Sequence, residues 1–203
     1  MLKTFVGSVC AGILISIGGC VYLACGNVYV GATLFSVALL CICYMGYDLF
    51  TGKIGYFAED FTLKNALRLC VMLAGNMITT FLLGLVVRYA LPELALRAAE
   101  LFAKKLSQSF PQTLIRAAFC GVLMYLAVQI FREKKTPIGI LFCIPVFLLS
   151  GFEHSVADMF YFGASGQFVS GAAPFLTAAV LGNTVGSLIL PLLGKIGGKN
   201  ERK

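Results

Sequence analysis

The chemistry this chain can offer is concentrated in two short segments. Its single histidine stands in Gly151-Phe152-Glu153-His154-Ser155-Val156-Ala157-Asp158, and a related string, Gly46-Tyr47-Asp48-Leu49-Phe50-Thr51-Gly52-Lys53, lies 105 residues earlier. Both read glycine, aromatic, acid, three residues, small residue, charge. Imidazole titrates near neutral pH, so His154 is suited to donate a hydrogen bond or to exchange a proton. Thr51 can donate from its hydroxyl, and it can equally cap a short helix. A second echo follows downstream: Ala74-Gly75-Asn76 matches Leu181-Gly182-Asn183 at a spacing of 107 residues. The two asparagines are suited to hold the loose backbone of two interrupted helices. Eight cysteines (10, 20, 25, 41, 43, 70, 120 and 143) fall inside apolar runs with no C-x-x-C pair. They read as small packing residues rather than metal ligands or disulfides.

The elements that carry these residues are set by a scarcity of charge. Only 12% of the 203 residues are charged, about half of what a soluble domain carries. No charge falls between Lys3 and Asp48, between Arg68 and Arg88, or between Asp158 and Lys195. Runs of this length read as membrane crossings of about 20 residues each. A soluble enzyme, a disordered tail and a disulfide-knit secreted module are excluded. The spans fall at about 5–25, 28–47, 66–89, 113–131, 136–162 and 173–193. The first is a retained helix rather than an export signal, because a second apolar span follows it at once. The fifth is interrupted: it contains Pro145, stops at Gly151-Phe152-Glu153-His154 and resumes at Met159-Phe160-Tyr161-Phe162, an aromatic run that reads as lipid-facing or interface packing. Residues 92–109 mix charge with Leu and Ala and read as a surface or vestibule helix.

The net charge of +7 is mostly an orientation signal. Lys3, Lys64, Arg68, Arg132, Lys134, Lys135, Lys195, Lys199, Arg202 and Lys203 fall on the side of the termini, against Arg88, Arg97, Lys104, Lys105 and Arg116 on the other. The excess predicts cytoplasmic termini in a multi-pass protein of the cell membrane. The five opposite residues surround one loop and are candidates for an anion-collecting mouth. No groove-reading element points to nucleic acid.

The repeated motifs predict an all-α membrane protein built as a duplicated three-span unit within one channel domain, residues 1–203. One copy covers about 5–92, the other about 110–196, and a basic tail covers 197–203. Three spans per copy require the second copy to be inverted. Inverted repeats with a broken helix in each, here helices 2 and 5, are a transporter signature, and loose backbone at membrane depth must be buried in protein or line a watery path.

The segments 31–53, 65–89 and 147–159, with LFTG after one break and EHS after the other, resemble the formate/nitrite transporter family over nearly the whole chain. The resemblance implies a six-helix, aquaporin-like protomer in a homopentamer with one pore per protomer. It also implies passage of small monovalent anions or their conjugate acids (formate, nitrite, hydrosulfide, short monocarboxylates), without a cofactor or a bound metal. By motif position His154 is the central pore histidine and Thr51 its partner. Phe35, Leu39, Phe50 and Phe147 fall at apolar constrictions, and Lys105 or Lys104 at the vestibule lysine. The chain departs from the family pattern at Asp158 and Lys53, where Asn or another uncharged residue is usual, and at Gly121, where an Asn is usual. Lys53 and Asp158 occupy equivalent places in the two copies, which predicts an ion pair between them, and Gly121 removes a polar side chain from the expected pore lining. Two other readings of the residues are an aquaporin-like channel for small neutral solutes and a membrane thiol redox protein. His154 as a helix cap bonded to backbone is the plain structural alternative to a pore donor.

Overall fold

The computed structural model describes residues 1–198; residues 199–203, the end of the basic tail, lie outside the described residues. The described chain is helical with no strand, and each helix satisfies its own peptide groups where no water is present to do so. The helices are α1 (Leu2–Ala24), α2 (Val28–Met45), α3 (Phe50–Lys53), α4 (Leu63–Ala90), α5 (Pro92–Leu106), α6 (Phe110–Lys134), α7 (Ile138–Leu149), α8 (Ser155–Ser165) and α9 (Ala172–Ile196). A 3-10 turn, Ile54–Ala58, continues α3. Among the described residues α1, α2, α4, α6 and α9 are long and apolar enough to cross a membrane. The chain is a multi-pass membrane protein. Helices α7 and α8 have 12 and 11 residues, each about half of a crossing, and they flank the break at His154.

Polar residues set where several helices begin. Asn27 caps α2 by accepting from the amides of Tyr29 and Val30 at 3.0 and 3.2 Å. Thr62 caps α4, and Ser109 with Gln112 forms a capping box on α6.

The two halves pack alike. Helix α1 lies against α2 and α4, and α6 lies against α7 and α9. Helix α8 packs on α4 and α1 of the first half, while α3 packs on α6 and the 3-10 turn on α9 of the second. Each half cradles the broken segment of the other, and α2 meets α7 between them.

Small residues allow this closeness, because without a hydrophobic drive between helices in lipid the backbones must approach each other. A Cβ on Gly75 would sit 2.7 Å from Ser8 Cβ, and one on Gly182 2.5 Å from Ala117 Cβ. The breaks are made the same way as well. Gly46 and Gly151 take the left-handed conformation (φ 70° and 66°) that favours glycine. The next amides, of Tyr47 and Phe152, both reach back to close the preceding helix, onto Ile42 O and Phe147 O, each at 3.0 Å.

Two expectations are corrected here. The aromatic run after the second break is not lipid-facing: Phe160 and Tyr161 are 0% and 2% exposed, because α8 is enclosed by α1, α4, α5 and α9. Gly121 does not open onto a pore. A Cβ there would lie 2.4 Å from Asn183 O and 2.8 Å from Ser187 N, so it faces the backbone of α9 and leaves no room for any side chain.

Candidate pore site at the two helix breaks

The asparagines fix the breaks, and they do so identically. Asn76 Oδ1 accepts from Phe50 N at 2.8 Å, while its Nδ2 donates to Ser8 O (2.8 Å) and Asp48 O (3.0 Å). Asn183 Oδ1 accepts from Ser155 N at 2.8 Å, while its Nδ2 donates to Ala117 O and Glu153 O, both at 2.8 Å. Each asparagine binds the first amide of the helix after the break, the carbonyl of the acid before it, and the first helix of its own copy. Both side chains are buried, where such backbone groups would otherwise be left unsatisfied.

This frame brings Thr51 and His154 together. Thr51 Oγ1 and His154 Nε2 are 2.7 Å apart, and both residues are buried. His154 is also the N-cap of α8: its Nδ1 accepts from Ala157 N at 3.1 Å. An Nδ1 that accepts carries no proton, so the neutral ring carries its proton on Nε2 and donates it to Thr51 Oγ1. The plain capping role and the donor role are thus two ends of one ring. Phe147 stacks on the imidazole (centroids 5.7 Å apart), and Phe35 meets Phe147 edge-on at 6.2 Å. The result is a polar pair walled by buried aromatic rings.

Leu39, one turn beyond Phe35 on α2, lines a cavity of about 500 Å³ on the α3 side. Asp48, Lys53, Tyr56, Arg68 and Phe131 line it too. Phe50 packs elsewhere, in a separate cluster with Ile54 and Met72.

The charges at the two breaks are arranged differently. At the first, Lys53 Nζ donates to Asp48 Oδ1 at 2.6 Å, with the lysine side chain 37% exposed in the cavity. The expected pair between Lys53 and Asp158 does not form. Asp158 Oδ1 instead accepts from Lys105 Nζ at 2.9 Å, and the same ammonium binds Glu153 Oε2. Glu153 Oε1 accepts from Gln108 Nε2 at 2.6 Å, and Thr113 Oγ1 donates to Gln108 Oε1 at 3.2 Å.

Of the two adjacent lysines, Lys105 is the one turned inward, while Lys104 is exposed and its carbonyl accepts from Ser107. Gln108 and the buried hydroxyls of Ser36 and Ser155, which lack a hydrogen-bond partner among the described residues, were not anticipated. Ser155 adjoins His154 in sequence and was open to inference; nothing in the loop sequence marks Gln108.

The proposed basic mouth is thinner than its residue list. Arg97 donates to Leu23 O and Ala24 O at 2.7 and 3.0 Å, closing the C-terminus of α1. Arg116 reaches Gly151 O at 3.4 Å, and Arg88 lies over the Phe168 ring. The cysteines are free, and among the described residues no cluster of His, Cys, Asp and Glu is arranged to hold a metal ion.

The fold is shared with known proteins. A solved structure described as an FNT family ion channel superposes with a TM-score of 0.83, covering 97% of this chain and 90% of that one at 22% identity. A pentameric formate channel with formate bound superposes with a TM-score of 0.76, covering 100% and 98% at 20% identity. In sequence the chain is 28% identical to the uncharacterized transporter YwcJ of Bacillus subtilis, over 78% of this chain and 70% of that protein. It is also 28% identical to a formate-nitrite transporter of Plasmodium malariae, over 77% of this chain and 59% of the relative. Residues 1–196 match the formate/nitrite transporter family as a whole. The chain belongs to the formate/nitrite transporter family.

Proposed function

We propose that the protein is a channel for small monovalent anions or their conjugate weak acids (formate, nitrite, hydrosulfide and short monocarboxylates), with a path through each protomer that passes His154 and Thr51. The observation that carries this reading is the buried His154–Thr51 pair between aromatic walls, built where the two broken helices meet. An anion entering an apolar slit loses hydration at a cost of several kcal/mol unless polar groups replace the water. The Nε2–H of His154 and the hydroxyl of Thr51 are the replacement, aided by the N-terminus of α8. Phe35, Phe147 and Leu39 form the narrow walls, and the cavity on the α3 side is one entrance.

Proton coupling through the histidine takes a specific form in this geometry. A second proton on the ring would have to go to Nδ1, which faces the Ala157 amide. Two donors would then oppose each other and the cap of α8 would be lost. His154 therefore serves as a fixed donor, and a proton that accompanies the anion is carried by another group.

The exposed apolar side chains on α2, α4 and α7, such as Leu34, Leu82, Val86 and Phe142, meet lipid or neighbouring copies. A homopentamer in the cell membrane with cytoplasmic termini is the assembly we infer, on the precedent of the pentameric relative and the excess of basic residues on one side. Repeat one spans about 5–92 and repeat two about 110–196.

The deciding experiment is uptake of formate, nitrite, hydrosulfide, acetate and glycerol into proteoliposomes, with His154→Asn and His154→Ala beside the wild type. Asn can keep the cap on Ala157 N but ends short of the Nε2 position, whereas Ala keeps neither bond. Anion uptake that falls in both variants, by about tenfold or more in the Ala variant, is expected. Equal flux of glycerol and formate, or unchanged flux in His154→Ala, would overturn the reading.

A further inference from the structure

The second break holds a charge imbalance that the donor role of His154 leaves unused. Glu153 and Asp158 are each 1% exposed, and the cation between them, Lys105, has a side chain only 13% exposed. Two carboxylates on one ammonium leave a net negative charge in a site from which water is nearly excluded, and such a charge is strongly disfavoured. Two acids that share one site commonly resolve this by keeping a proton between them.

The hydrogen bonds say which oxygen keeps it. Glu153 is fully served as an ionised acceptor, one oxygen on Lys105 and the other on Gln108. Asp158 Oδ1 is on Lys105, but its Oδ2 is buried with no partner among the described residues. A carboxylate oxygen without a donor is poorly placed there, whereas a hydroxyl loses less. Asp158 also lies one turn past His154, its amide donating to the histidine carbonyl at 2.8 Å.

The charged groups acting on Asp158 are Lys105 from α5 and Glu153 from the break. The other titratable groups facing the cluster are His154 itself, Cys120 of α6 and Tyr161 of α8, with Tyr22 and Cys20 of α1 beyond the tyrosine. None of these supplies a second cation.

We propose that Lys105, Glu153 and Asp158 form a proton-holding site that protonates the anion at His154. The proton resides on Asp158 Oδ2. When an anion reaches His154 and Thr51, the O–H bond of Asp158 breaks, its electron pair stays on the carboxylate, and an O–H or S–H bond forms on the passing anion, which leaves as the neutral acid. Asp158 is refilled by a proton from water reaching the partly exposed Lys105 end of the cluster.

The handover rests on the anion path proposed above, but the proton itself is read without any substrate. Infrared spectra of the purified protein at neutral pH should show the carbonyl band of a protonated carboxyl, and Asp158→Asn and Glu153→Gln should each abolish it, because either leaves one acid for one lysine. Asn matches Asp in size and its Oδ1 can still accept from Lys105 Nζ, so the first variant disturbs the packing least. In proteoliposomes Asp158→Asn should slow formate uptake by about tenfold and change its pH profile. A wild type without the band, a band that survives in Asp158→Asn, or a variant that loses the band yet carries formate at an unchanged rate and pH profile overturns the proposal. A wild type that shows the band, loses it in both variants and carries no anion leaves the proton site standing and refutes the anion path instead.

Discussion

Replacing Asn183 by Leu is the most demanding test of how the breaks are held. Leu matches Asn in size and supplies no hydrogen bond. The change removes the bonds to Ser155 N, Ala117 O and Glu153 O, each 2.8 Å long. Mutational series in soluble proteins give about 1 kcal/mol net per bond, with 1–3 kcal/mol for each buried group left stranded. Bonds between membrane helices average about 0.6 kcal/mol, because the unfolded chain in lipid finds partners too. Three bonds, with at least the Ser155 amide stranded, place the loss at about 2–5 kcal/mol. Asn76→Leu removes the matching three bonds to Phe50 N, Ser8 O and Asp48 O and should cost the same to within about 1 kcal/mol. Unfolding in mixed micelles with increasing sodium dodecyl sulfate measures both. Loss of flux should exceed loss of fold in each variant, since the breaks position Thr51 and His154. A cost below about 1 kcal/mol for either, or a gap between the two above about 2 kcal/mol, would refute the view that both copies use one device.

The remaining predictions concern Gly121 and the charged residues at the two breaks. Gly121→Asn should lower the melting temperature sharply rather than polarise the pore, because its Cβ would meet Asn183 O and Ser187 N of α9; thermal unfolding against formate flux separates the outcomes. Lys53→Asn and Asp158→Asn should have additive effects on unfolding free energy to within about 0.5 kcal/mol, since the two residues pair with different partners. Lys105→Met should be strongly destabilising and Lys104→Met silent, because only Lys105 sits between buried carboxylates.

The features read most directly from sequence are those in which a side chain answers a backbone need. Gly46 and Gly151 recur because both helices end in a left-handed turn, and Asn76 and Asn183 recur because both breaks leave an amide and carbonyls to satisfy. Such needs are local and fix residue type, so the repeat was visible without coordinates. The pairing of charges was not. Equivalent positions in two copies are related by the rotation between them and meet only near its axis, so the equivalence of Lys53 and Asp158 kept them apart. Thr51 and His154, which are not equivalent, are the residues that meet. The choice between Lys104 and Lys105 depended on the phase of α5, whose apolar face (Leu94, Ala98, Phe102) turns inward. The burial of Phe160 and Tyr161 depended on neighbours far away in sequence.

The two breaks also differ in what each requires from the rest of the chain during synthesis. The first carries its own counter-ion five residues on, so its charges are balanced as soon as the segment emerges. The second depends on α5, a helix outside both copies, whose Lys105 is translated before Glu153 and Asp158. Vectorial synthesis thus sets the cation in place ahead of the acids it must receive. A circular permutant that placed residues 110–198 first would have to bury both carboxyls with Lys105 not yet made, and would be the harder chain to insert.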